Sequence, residues 1–278
     1  MLYVQTISIG RSHAALVTKQ GEVFYWGEGK NGRLGHKFVM ATTCKKIVDS
    51  LNGVHVKSVS CGEYHTCALT TSGELYTSGD NFGAEKKMRS YWLPNRVCGS
   101  LDGVKISYVA CGEWHTGIVS TSGQLFTYGD GTFGVLSHGN LQSVAHPKEV
   151  ESLKRTGEVY TMGSSEQLNH CPENILRCLL GNPQAKYESV APVQGKLKNK
   201  FVTQISSGSY HVAVLTSKGN VYTWGKGSNG QLGLADTEDR NCPTLVEALR
   251  DRQVEHIVEL WSLIYRRHYE DPTQSVER

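Results

Sequence analysis

The amino-acid sequence predicts an all-β protein, a β-propeller assembled from repeated units of short strands. Three observations predict it. A segment built on glycine and histidine recurs at a period of about fifty residues, the range of propellers and arrays. The glycines inside each copy keep one constant spacing. No segment with the 3.6-residue apolar period of a helix interrupts the copies, which argues against a βαβ fold.

The copies align on anchor glycines Gly10, Gly62, Gly112 and Gly208, each followed three residues later by His13, His65, His115 or His211. The first three anchors are 52 and 50 residues apart, and Gly112 to Gly208 is 96, close to two periods. A second glycine follows each anchor by 11 residues: Gly21, Gly73, Gly123 and Gly219. Before the anchor stands a short apolar strand, as in Val56-Lys57-Ser58-Val59 and Val202-Thr203-Gln204-Ile205. A second strand starts at the histidine, as in His211-Val212-Ala213-Val214-Leu215-Thr216. The second glycine supplies the positive φ that a hairpin turn demands. A third strand, aromatic and β-branched, follows and ends on Gly27, Gly79, Gly129 or Gly225. Next comes a glycine-rich loop, Gly27 to Gly35 and Gly225 to Gly233, with a near relative at Gly129 to Leu136. Units close on Pro94, Pro147 or Pro243 with valine three residues on, where the first unit has Lys45 and Val48. Proline cannot donate to a ladder, so this place suits an edge strand or a strand start.

The expected organisation is a repeat region over 1–253, in units of about 1–53, 54–104, 105–154, a degenerate 155–200 and 201–253, followed by a divergent tail over 254–278. The second unit has Ser78 where the others have Trp26, Tyr128 and Trp224, and its loop Asp80 to Lys87 lacks Leu-Gly. The fourth unit carries a turn and third strand around Gly157 and Gly163 without the preceding strand pair, then an unmatched stretch from Ser165 to Cys178. A deletion and an insertion of similar size account for it. At the end, Val254 to Ile257 matches a first strand, but Leu260 stands where an anchor glycine belongs. Val254, Ile257, Val258, Trp261, Ile264 and Tyr265 are spaced as on a helix, which predicts an amphipathic helix over 254–269.

Composition excludes some classes. With 278 residues, 38% hydrophobic and 20% charged, the chain has the make-up of a soluble globular protein. A net charge of +3, with Lys and Arg scattered, is too weak to argue for nucleic acid or chromatin. The N-terminal residues do not read as a signal peptide, and no apolar run is long enough to span a membrane. Eight cysteines without such a leader suggest a reducing, intracellular setting, cytoplasmic or nuclear.

The pattern Gly-x-x-His, a turn glycine, Trp-Gly-x-Gly-x-x-Gly-x-Leu-Gly and Pro-x-x-Val resembles the repeat of the regulator of chromosome condensation (RCC1) family. The likeness covers roughly 1–253 apart from the damaged middle. The segment Asp236 to Leu249 is similar to plant members that carry pleckstrin-homology and FYVE zinc-finger domains as well, and nothing in this sequence resembles either of those domains. The family closes a ring of seven blades, whereas four good units and one partial unit are present here. The resemblance therefore implies a truncated or rearranged member, or a fragment of a longer product.

Candidate chemistry is weighed against this register. His13, His65, His115 and His211 share one repeat position, so they spread along the units rather than converge on a metal; blade-to-blade hydrogen bonding is the expected role. Gly27-x-Gly29-x-x-Gly32 and Gly225-x-Gly227-x-x-Gly230 match a dinucleotide fingerprint by letter, but a strand rather than a helix is expected after each loop. Cys61 and Cys111 occupy a position that Ile9 and Ser207 fill elsewhere, a small packed place rather than a ligand. His170, Cys171 and Cys178 form no zinc spacing, since no Cys-x-x-Cys occurs. Glu63 and Glu113 are expected to be exposed loop charges. No catalytic residue, cofactor, metal or small-molecule substrate is expected. The expected function is a non-enzymatic scaffold that binds another protein; the alternative implied by the family is guanine-nucleotide exchange on a small GTPase.

Overall fold

The structure, a computed structural model, describes residues 3–36, 41–80, 91–151, 160–161, 191–193, 196–197, 200–207, 211–252, 254–255 and 257. Two compact units are formed and are described separately.

The first unit holds three four-stranded antiparallel sheets, each strand paired with its neighbour in sequence. The first sheet is β1 (Val4–Ile9), β2 (His13–Thr18), β3 (Val23–Gly27) and β4 (Thr42–Ile47). The second is β5 (Val56–Cys61), β6 (His65–Thr70), β7 (Leu75–Gly79) and β8 (Tyr91–Arg96). The third is β9 (Ile106–Cys111), β10 (His115–Ser120), β11 (Leu125–Gly129) and β12 (Val144–Glu149). The second unit holds a short ladder of β13 (Tyr160–Thr161) with β14 (Ala191–Pro192), and a four-stranded sheet of β15 (Val202–Ser207), β16 (His211–Thr216), β17 (Val221–Gly225) and β18 (Arg240–Leu245). Such meanders are propeller blades. Among the described residues the helical pieces are short 3-10 turns, including Lys30–Gly32, Asp49–Leu51 and Glu247–Leu249.

Strand periodicity places the core. Side chains alternate across a sheet, so Ala68 of β6 packs toward the first sheet with Ala15, Val17, Val23 and Tyr25, while Cys67 and Leu69 pack toward the third with Ile118, Phe126 and Tyr128. The second blade is thereby buried on both faces by its neighbours. The effect is measurable at one register position. Val59 and Val109, each packed against the sheet before it, are 8% and 5% exposed, whereas Ile7 at the same position of the first described sheet is 54% exposed. Burying one such side chain is worth about 1.5–3 kcal/mol.

Pro94, Pro147 and Pro243 lie in β8, β12 and β18, the fourth strands at the sheet edge. In each sheet the pairing of third with fourth strand slips once, as between Thr77 and Gly79, so the proline meets a bulge rather than a regular ladder. Ser78, at the aromatic position of the second unit, is buried and its hydroxyl has no partner among the described residues. The loop after it lies outside the described residues from 81 to 90, as does most of the fourth unit, Gly157 and Gly163 included. Tyr160 and Thr161 do form a strand, paired as a third strand pairs with a fourth. Glu255 and Ile257 belong to no strand but are tied to β15: Gln204 Nε2 donates to Glu255 O at 2.7 Å and its Oε1 accepts from Ile257 N at 3.1 Å. Of the helix expected over 254–269, the described residues 254, 255 and 257 are not helical, and the remaining positions lie outside the described residues.

Candidate functional site

The recurring Gly-x-x-His segment builds the junction between blades. In each of the first three sheets the anchor amide donates to the histidine carbonyl, Gly10 N to His13 O at 2.9 Å, Gly62 N to His65 O at 2.9 Å and Gly112 N to His115 O at 2.8 Å, closing the first hairpin. A Cβ on Gly10 would lie 2.3 Å from Gly62 O, and one on Gly62 would lie 2.5 Å from Gly112 O. Glycine is required there by the neighbour's backbone, not by its own φ. At Gly27, Gly79 and Gly129 both demands apply: φ is +112, +94 and +118°, and a Cβ would meet the carbonyl of Ser12, Tyr64 or Trp114. Those carbonyls are occupied by Glu28 N, Asp80 N and Asp130 N at 2.9, 3.0 and 2.9 Å.

The histidines reach to the next blade. His13 Nε2 lies 2.7 Å from Thr66 Oγ1 and His65 Nε2 lies 3.0 Å from Thr116 Oγ1. Thr66 spends its one hydroxyl proton on Arg33 O at 2.8 Å, so it must accept from His13, which fixes the proton of His13 on Nε2. Burial holds both rings neutral: it is the main reason the pKa of each is lowered to about 3, helped at His13 by Arg33 and at His65 by His115. Burial also lowers the pKa of His115 and of His211. His211 opens β16, while Gly208 lies outside the described residues. A serine two residues before each of two anchors adds a second tie: Ser8 Oγ accepts from Cys61 N and Ser60 Oγ from Cys111 N, both at 2.9 Å.

The turn glycines Gly21, Gly73, Gly123 and Gly219 all have positive φ, between +77 and +86°. Their carbonyls tie blades where a successor is described: Val56 N to Gly21 O at 3.4 Å and Ile106 N to Gly73 O at 3.0 Å. The hydroxyl that ends each second strand was not foreseen from the sequence. Thr18, Thr70, Ser120 and Thr216 each accept from the amide four residues on, at 2.9–3.2 Å. The signal was available, since all four units have Thr or Ser three residues before the turn glycine.

The glycine-rich loop of the first unit holds a further residue missed in sequence. Arg33 is 2% exposed. Its guanidinium donates to Lys30 O at 2.8 Å, Ser12 Oγ at 2.6 Å and Glu63 O at 3.0 Å, faces Glu28 at 3.5 Å, and lies 4.7 Å from the ring centre of Tyr64. Tyr64 stacks in turn on Trp114 of the third sheet, with centroids 4.2 Å apart. The loop holds a 3-10 turn, Lys30–Gly32, and the next described element is the strand β4 rather than the helix that a dinucleotide fingerprint requires.

Beside this stack, the residues after the anchors come together. Arg11 Nη1 pairs with Glu63 Oε1 at 2.6 Å. The expectation that Glu63 and Glu113 are exposed loop charges is corrected here. Glu63 is 4% exposed and Glu113 half-buried, because successive blades bring one loop against the next. Burial first, and then the adjacent Glu63 carboxyl, raise the pKa of Glu113. With Gly10, Gly62 and Gly112 these side chains line a cavity of about 40 Å³.

One group of metal-ligand type occurs among the described residues: donor atoms of His65, Cys67 and Cys111 lie within 4.8 Å of one another. His65 Nε2 is already engaged by Thr116, and Cys111 Sγ by Ser60 O at 3.3 Å. Cys67 contacts Thr77 and Tyr128 hydroxyls at 3.7 and 3.9 Å. The geometry is that of a packed junction between the second and third sheets.

The RCC1-like domain profile matches residues 2–258. The ultraviolet-B receptor UVR8 of Arabidopsis thaliana is 35% identical over 88% of this chain and 58% of its own length. The E3 ubiquitin-protein ligase HERC2 of Homo sapiens is 30% identical over 89% of this chain and 5% of its own. The RCC1 domain-containing protein RUG3, mitochondrial, of Arabidopsis thaliana is 30% identical over 90% of this chain and 48% of its own. The chain thus spans little more than half of these relatives at most. Among solved structures, Prp20p from Saccharomyces cerevisiae superposes with a TM-score of 0.53 over 88% of this chain and 77% of its own, at 17% identity. With the blade architecture, the Gly-x-x-His junctions and this match in hand, the chain belongs to the RCC1-like domain family.

Proposed function

We propose that this chain is a non-enzymatic platform that binds another protein. One observation carries the reading. Recurring residues are consumed in blade-to-blade contacts, as at His13, His65, Gly10 and Gly62. The residues that vary at the same loops, Arg11, Glu63, Tyr64, Glu113 and Trp114, form a charged and aromatic cluster on successive blades. Varying loops on a rigid scaffold are where binding specificity is placed, and aromatic and arginine side chains are the anchors of protein interfaces. The cavity among them is far below the roughly 300–1,000 Å³ of sites that take small molecules. Among the described residues no helix is long and apolar enough to cross a membrane; an intracellular location, cytoplasmic or nuclear, is part of the proposal.

Prp20p is a protein whose binding to Gsp1p and histones has been characterised, which makes a small GTPase and histones the partners to try first. The test is saturable binding of the purified chain to a nucleotide-loaded small GTPase and to histones, with nucleotide release followed in parallel. Binding without faster release supports the platform. Accelerated release would replace it with an exchange factor. Absence of saturable binding to either would remove these partners and the support they lend.

A further inference from the structure

The cavity floored by Gly10, Gly62 and Gly112 has an unbalanced charge inventory. Its lining carries two carboxyl groups, Glu63 and Glu113, and one guanidinium, Arg11, while Arg33 donates to the Glu63 carbonyl from outside the lining. Arg11 satisfies Glu63 Oε1 at 2.6 Å. Glu63 Oε2 is buried and finds no donor among the described N–H and O–H groups. A buried carboxylate oxygen left without a donor is costly, and two adjacent carboxyls cannot both ionise without a cation between them. Burial and the adjacent Glu63 carboxyl raise the pKa of Glu113.

The chemistry narrows the occupant. A hard divalent cation wants about six to eight oxygen ligands, and Arg11 beside the pair opposes a second full charge of +2. A metabolite is too large for about 40 Å³. The tip of one side chain fits. A guanidinium is planar, carries one positive charge and offers forked N–H donors to two carboxylate oxygens.

We propose that this cavity receives a single arginine side chain of a protein partner, whose guanidinium pairs with Glu63 Oε2 and Glu113. This inference rests on the reading of the chain as an interaction platform and names the chemistry of its partner. Arg11 orders Glu63, and Glu113, the less buried of the two acids, sits toward solvent. The unit brings these three residues together only because successive blades carry Arg, Glu and Glu at the position after the anchor.

The test uses the full chain and two capped tripeptides, acetyl-Gly-Arg-Gly-amide and its citrulline counterpart, in which an uncharged urea replaces the guanidinium. Binding is read from the side-chain carboxyl 13C signals of labelled glutamate. The arginine peptide is expected to bind saturably and to shift the Glu113 signal, with the citrulline peptide at least about tenfold weaker. Glu113→Gln, at a half-exposed position, is expected to weaken the arginine peptide about tenfold with an unchanged melting temperature. Glu63→Gln serves as a second variant if its folding is intact. Equal binding of both peptides, or unchanged binding in Glu113→Gln, overturns the inference. The two readings fail separately. Protein partners whose affinity ignores Glu113→Gln would sink the arginine pocket alone, whereas peptide binding without any protein partner would sink the platform alone.

Discussion

Replacing Thr66 by valine is the sharpest test of the junction between blades. Valine keeps the β-branched shape and removes one hydroxyl. That hydroxyl accepts from His13 Nε2 at 2.7 Å and donates to Arg33 O at 2.8 Å, and all three residues are buried. His13 Nδ1 already lacks a partner among the described residues, so the variant leaves neither ring nitrogen bonded and leaves Arg33 O without this donor. Each buried polar group so orphaned costs about 1–3 kcal/mol, which gives about 2–6 kcal/mol for the pair. A domain of ordinary stability has only about 5–15 kcal/mol in all. Thr66→Ser keeps both bonds and loses one methyl, and should cost no more than about 1 kcal/mol. Thr116→Val releases His65 Nε2 and should fall between the two. The assay is the guanidinium midpoint at constant slope. If Thr66→Val unfolds within about 0.5 kcal/mol of wild type, or Thr66→Ser is as damaging as Thr66→Val, the hydrogen-bond account is wrong and packing alone holds the junction.

Glycines of two kinds should respond in opposite directions. Gly62→Ala forces a Cβ to 2.5 Å from Gly112 O and should cost about 2 kcal/mol or more, while Gly117→Ala, in β10 with nothing within 4 Å and no positive φ, should be neutral or stabilising by up to about 1 kcal/mol; both are read from thermal melts. Acid should weaken the fold through His13 and His65. Their pKa values, lowered from 6.5 to about 3, mean that stability is full above pH 6.5 and falls as the unfolded chain takes up protons the folded chain refuses, by about 1.4 kcal/mol per pH unit per ring until pH 3. Glu113, whose pKa is raised, works in the opposite direction and binds its proton more readily when folded. Denaturation at pH 7 and pH 5 checks the net sign, and equal midpoints would contradict it. Arg33→Lys should cost about 1–3 kcal/mol despite keeping the charge, because an ammonium cannot reach Lys30 O, Ser12 Oγ and Glu63 O together; undiminished stability in the Arg33→Lys variant would show that those bonds are dispensable.

Most of the strand architecture could be read in advance because it obeys local rules. The second strands begin at His13, His65, His115 and His211, where the sequence places them. The turn glycines carry the positive φ expected of them. The anchor glycines were legible as positions but not in their cause, since the clash that forbids a side chain at Gly10 comes from Gly62 O, one period away. Glu63 was misread for a related reason. A charged residue between glycine and histidine looks like a solvated loop tip, and only the adjacent blade turns it inward.

What the sequence alone determined is therefore the blade: strand order, turns, edge prolines and the repeat that aligns them, all set by side-chain period and by backbone conformations open only to glycine. What the tertiary structure decided is the seam between blades. There His13 meets Thr66, Arg33 slides beneath Tyr64, and Arg11, Glu63 and Glu113 gather around one cavity. Those pairings join residues roughly twenty to fifty positions apart, and their energies depend on burial that no single repeat possesses until its neighbour packs against it.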